Sequence, residues 1–102
     1  MNTDNMKKYL VEFLGTLVFL TAILNAGTFK KIIDPAISIA GALAVVIFAG
    51  GHISGGHYNP AVSTMMYANK KLSAIDYVGY MAAQITGGML ALVVYNNVNL
   101  SL

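Results

Sequence analysis

The chain has 102 residues, 57% of them hydrophobic and only 10% charged, far from the roughly 25% charged of soluble domains. Its net charge of +2 and pI near 9.0 do not indicate nucleic acid, because the lysines stand in pairs at the ends of apolar segments, where a membrane protein keeps them. Cysteine is absent, which excludes disulfides and thiolate metal sites and leaves the redox compartment unread.

The charges divide the chain. Lys7, Lys8 and Glu12 lie near the start, Lys30, Lys31 and Asp34 in a first gap, and Lys70, Lys71 and Asp76 in a second. A membrane-spanning helix needs roughly 20 apolar residues. The first span is predicted over about 9–28. Glu12 interrupts its apolar run and Leu24-Asn25-Ala26 is a poor cleavage site, so it reads as a retained span and not a signal peptide. Pro35, suited to a helix's first turn, opens a second span over about 36–50, where Ala36, Ala40 and Ala44 form a stripe that lets another helix approach.

Next comes a loop over 51–59, dense in glycine and polar residues. From Pro60 to Ala68 the sequence reads as helix again, but this stretch covers only about 13 Å, half a bilayer. The chain must therefore dip in and return to the side it left. The third full span, about 74–95, carries Gly79, Ala83 and Gly87 at four-residue spacing as a second close-packing face, and the tail Asn96–Leu102 is polar and uncharged. The predicted fold is an all-α membrane protein with three transmembrane helices and one re-entrant half-helix, a single unit over 1–102. With the N-terminus inside, Lys7, Lys8, Lys70 and Lys71 are cytoplasmic and Lys30 and Lys31 are outside. That bias favours the N-in orientation and is small enough to allow insertion both ways.

Irregular backbone at membrane depth is tolerated only where it is buried in protein or lines a water-filled cavity. Asn59 before Pro60 makes a good helix cap, whose side-chain oxygen can accept a backbone N–H while its NH₂ donates outward. The half-helix N-terminus adds partial positive charge. The carbonyls of Gly55, Gly56, His57 and Tyr58 cannot join a helix ladder. A row of acceptors leading to a donor suits small neutral hydrogen-bonding molecules.

Gly51-His52-Ile53-Ser54-Gly55-Gly56-His57-Tyr58-Asn59-Pro60-Ala61-Val62 resembles the first pore loop of the aquaporin, or major intrinsic protein, family, with its Asn-Pro-Ala signature. Glu12-Phe13-Leu14-Gly15-Thr16 is similar to that family's first helix and Ala83-Gln84 to its third. The likeness covers nearly the whole chain, as one half of a fold that has two halves, six spans and two such motifs. It implies a water channel, passing water and small neutral solutes such as glycerol, with Asn59, Pro60 and Ala61 at the pore centre and the carbonyls of residues 55–58 along the path. It also implies that Glu12, His52 and Gln84 support the loop from behind. Where the family's second half carries Arg after the motif, Val62 follows Ala61, and the chain has no arginine at all. Ile39 stands where water-selective members carry an aromatic filter residue, so the resemblance does not extend to the narrow filter.

One half cannot enclose a pore. The partners expected are the lipid bilayer and either a second copy in inverted orientation or a separate complementary half. Two alternatives are a non-conducting membrane interaction subunit and a small dual-topology transporter, for which Glu12 would be the one embedded charge. His52 and His57 with no third ligand make a poor metal site, and neither a cofactor nor enzyme chemistry is expected. Met65, Met66 and Met81 read as packing, and Tyr67, Tyr77 and Tyr95 as interfacial anchors.

Overall fold

The computed structural model describes residues 2–98, and among them every regular element is helical. Helix α1 is Thr3–Asn25, α2 is Pro35–Ser54, α3 is Pro60–Ala68 and α4 is Ala74–Asn97. The three long helices are each apolar enough to cross a bilayer, whereas α3 has 9 residues. The molecule's long axis of 43 Å matches a bilayer with its headgroup regions. The end of the tail, 99–102, lies outside the described residues.

Local chemistry sets each helix start. Asn2 caps α1 by accepting from the Asn5 N–H, and Asp34 caps α2 through the Ala36 N–H with Pro35 in the first turn. Asn59 caps α3 through the Ala61 N–H, and Ser73 caps α4 through the Asp76 N–H. Helix α2 runs four residues beyond the end expected at Gly50. It stops at Gly55, which holds the left-handed conformation at φ 91° and donates its N–H to the Gly51 carbonyl. The irregular loop is correspondingly shorter than the 51–59 expected from sequence. Two glycines inside a helix weaken it only modestly, and the signal that ends it is the left-handed residue, not glycine content.

Helix α1 is central. It packs along α4 on one side and α2 on the other, while α3 packs on α4. Helices α1 and α4 run parallel, joined at their starts by Lys8 Nζ to Asp76 Oδ2 at 3.2 Å and Tyr9 Oη to Asp76 Oδ1 at 2.8 Å. The small-residue face foreseen on the third span lies in the seam: Ala83 and Gly87 are buried and Gly79 lies against the Tyr9 ring, and the seam runs one turn further than expected, to the buried Ala91. A Cβ at Gly87 would stand 2.7 Å from the Phe13 carbonyl oxygen, a backbone atom that cannot move aside. Gly87→Val is therefore expected to cost about 1–3 kcal/mol, read as a lower midpoint in denaturant unfolding from detergent. The other stripe, Ala36, Ala40 and Ala44, turns away from α1 and is exposed, along with Val45 and Phe48, the latter 88% exposed.

Candidate functional site: a carboxylate-held re-entrant loop

Glu12 has no exposed surface although it carries a carboxylate. Burial of such a group requires partners for its lone pairs. Its Oε1 accepts from the Tyr58 N–H at 2.7 Å and Gln84 Nε2 at 2.9 Å, and its Oε2 from Ser54 Oγ at 2.7 Å and the His57 N–H at 3.0 Å. All four partners are donors, so the carboxyl serves as acceptor only. Its donors come from the end of α2, the loop and α4, and Glu12 thus fastens three segments to α1.

Around this hub the remaining polar groups close a network. Gln84 Nε2 also donates to Ser63 Oγ at 2.8 Å, and Ser63 Oγ pairs with His57 Nδ1 at 2.8 Å. The Tyr80 hydroxyl donates to the Ser54 carbonyl at 2.5 Å, and its ring meets the His57 ring edge-on at 5.0 Å. Ser54, Ser63, Gln84 and Tyr80 are all buried. Gln84 Oε1 is buried without a partner among the described residues, because the amide nitrogen has to face the acceptor-only carboxylate.

This arrangement orients the loop's peptide groups. The amide of Gly55 bonds to Gly51, that of Gly56 to Ser54 Oγ at 3.1 Å, and those of His57 and Tyr58 to Glu12. All four N–H groups point into the protein. The carbonyls of Gly55, Gly56, His57 and Tyr58 accept no hydrogen bond among the described residues. Such a one-sided ribbon demands unusual dihedrals, and Gly55, Gly56 and Tyr58 have φ of 91°, 67° and 50°. Glycine adopts these freely. Tyr58 does not, and its buried side chain is the compensation: the hydroxyl donates to the Val46 carbonyl at 2.6 Å.

Beyond the ribbon, Asn59 is exposed. Its Oδ1 accepts from the Ala61 N–H at 2.8 Å, while its Nδ2 has no partner among the described residues. Pro60 and Ala61 form the first turn of α3 beside it.

One residue expected to support the loop stands elsewhere. His52 was to support the loop by hydrogen bonding, but α2 continues to Ser54 and leaves His52 exposed on its last turn, with no hydrogen bond from its ring among the described residues. Ile39 is half-buried on the second turn of α2, about 22 Å along the axis from Ser54. Conversely, Ser54, Ser63, Tyr80 and the Tyr58 side chain escaped the sequence reading. The available signal was helical spacing: Ser63 is one turn beyond Asn59, and Tyr80 one turn before Gln84. Tyr67 and Tyr77, read only as anchors, stack at 4.7 Å, and the Tyr77 hydroxyl pairs with Thr64 Oγ1 at 2.7 Å.

Comparison with known proteins agrees with this architecture. The sequence model of the major intrinsic protein family matches residues 1–101. Over 93 residues the chain is 46% identical to glycerol uptake facilitator protein-like 6 of Lactiplantibacillus plantarum, a match covering 84% of this chain and 41% of that protein. It is 36% identical over 94 residues to aquaporin Z of Photorhabdus laumondii, with the same coverages, and 34% over 92 residues to human aquaporin-9, covering 82% of this chain and 31% of that protein. The chain thus spans about two fifths of the length of the first two relatives. With three helices long and apolar enough to span a bilayer and a family match along nearly its whole length, this chain is an integral membrane protein of the major intrinsic protein family.

Proposed function

We propose that this chain forms half of a channel for water and small neutral solutes, completed by a second half in inverted orientation. The observation that carries the reading is the polarity of the ribbon 55–58. Its N–H groups are consumed by Glu12 and α2, its carbonyls are left on the open face, and the row ends at the exposed Asn59 and the start of α3. A molecule that both donates and accepts can pass from carbonyl to carbonyl and then to the Asn59 amide. A cation meets the partial positive charge of the α3 N-terminus. Names of relatives that include a glycerol facilitator and aquaporins support the same solute class.

The open face also argues for a second half. Ala61, Thr64, Met65 and Ala68 form the outer face of α3 and are exposed, so nothing among the described residues closes the path opposite Asn59. A second copy inserted upside down would supply an equivalent half-helix, as inverted repeats do. Because the chain has no arginine, such a homodimer would carry none at its constriction and should pass glycerol as well as water.

Proteoliposomes of the purified protein are expected to shrink in an osmotic gradient several-fold faster than empty vesicles, with cross-linking capturing a dimer. Tags on both termini should be found on both sides of the membrane. A folded dimer no more permeable than bare lipid would overturn the channel reading; a uniform N-in orientation would replace the second copy with a separate complementary half.

A further inference from the structure

The Tyr58 side chain points away from the face just described and takes no part in the proposed path, yet it is 2% exposed and bonded. It lies between α1 and α2. A Cβ at Gly15 on α1 would overlap the Tyr58 ring, whose atoms supply all three of its nearest neighbours. A Cβ at Gly50 on α2 would stand 2.5 Å from the Tyr58 hydroxyl, besides striking the Val11 side chain. Gly50 is also the residue one turn beyond Val46, where a side chain would cover the carbonyl that the hydroxyl reaches. Two glycines on facing helices are thus cut to the outline of one tyrosine.

The consequence runs through the backbone. Tyr58 directly precedes Asn59 and holds φ at 50°, a conformation a bulky residue does not keep unless its surroundings impose it. Its N–H is fixed by Glu12 on α1 and its hydroxyl by Val46 on α2. Helix α2 packs along α1 and touches α4 through the Tyr80 bond to the Ser54 carbonyl at its end, so the position of the Tyr58 ring ties the loop to the α1–α2 spacing. We propose that Tyr58 is a positioning residue: its side chain gauges the separation of α1 and α2 and, through that grip, sets where its own carbonyl and Asn59 stand. The aperture at the motif is then governed by a side chain on the far side of the backbone from the path. The part concerning the aperture rests on the channel reading; the gauge itself does not.

The cysteine-free sequence makes the test direct. Spin labels at Leu10→Cys on α1 and Val45→Cys on α2, both exposed positions, report the helix separation in the full chain. Tyr58→Phe keeps the ring and loses the anchor; it should broaden the interspin distribution while helix content by circular dichroism is unchanged. An unaltered distribution would overturn the proposal. Gly15→Ala should lower the folded-to-unfolded ratio by roughly 5- to 100-fold, as overpacking does, and most of that loss should vanish when it is measured in a Tyr58→Gly background, where glycine keeps the left-handed backbone without the ring. Additive losses in the double variant would show that the ring does not gauge the gap. In vesicles, Tyr58→Phe should change the ratio of glycerol to water permeability, and an unchanged ratio overturns the aperture claim. Wild-type vesicles that pass neither solute would sink the channel reading and leave the distance and suppression results to decide on the gauge.

Discussion

Replacing Glu12 is expected to dismantle the loop. In Glu12→Ala the His57 and Tyr58 amides lose their shared acceptor in a buried place, at about 1–3 kcal/mol for each unpaired amide and so roughly 2–6 kcal/mol together. Glu12→Gln is more instructive because it keeps the shape. Its NH₂ must replace one oxygen. On the Oε2 side the Ser54 hydroxyl can turn to accept, but the His57 N–H cannot. On the Oε1 side Gln84 can flip its amide, but the Tyr58 N–H is left facing a donor. Either way one backbone amide is orphaned. Osmotic permeability of reconstituted vesicles should fall at least tenfold in Glu12→Gln and to background in Glu12→Ala, with near-native helix content in the former. Wild-type flux in Glu12→Gln would mean that the loop is held by something other than this carboxylate.

Asn59→Leu should have an equally large effect on flux and a much smaller one on the fold. Asn59 is exposed and makes one capping bond, to Ala61 at 2.8 Å, so its loss costs about 1 kcal/mol of helix start. What disappears is the outward donor at the end of the acceptor row, replaced by an apolar side chain. Water flux is expected to drop to that of empty vesicles. Asn59→Asp retains a capping oxygen and removes the NH₂ donor; if flux vanishes there too, the donor and not the cap is responsible. Flux that survives Asn59→Leu in folded protein would put the path somewhere else.

The architecture was legible in this sequence for a simple reason. In lipid a helix must be apolar and about 20 residues long, so sparse charges mark its ends, and a nine-residue helix between polar segments has to be re-entrant. Glu12 was conspicuous by cost: a carboxylate inside a span calls for partners. The partners were much less visible. Ser54 and Ser63 are small residues common in membrane helices, and their role depends on a rotation of α3 that no local pattern fixes. Tyr80 carried no signal beyond its place one turn before Gln84. His52 misled because its neighbour Gly51 suggested loop, whereas the helix persisted to the left-handed Gly55. Tyr58 was assigned through its carbonyl alone, since the two glycines that admit its ring lie 43 and 8 residues earlier in the chain. Spacing along a helix is written in sequence; complementarity between helices is not.

The hub at Glu12 also carries a timetable. Its donors follow it by 42, 45, 46 and 72 residues. At about 5–20 residues per second of synthesis, the last of them, Gln84, emerges roughly 4–14 s after the carboxylate. For more than half of that interval the first helix holds a charged group with none of its eventual partners made, and until its end Gln84 is still missing; a carboxylate in mid-helix is costly to place in lipid. The helix at the centre of this bundle is therefore the one least able to settle alone, and its secure residence in the bilayer dates from the arrival of α4.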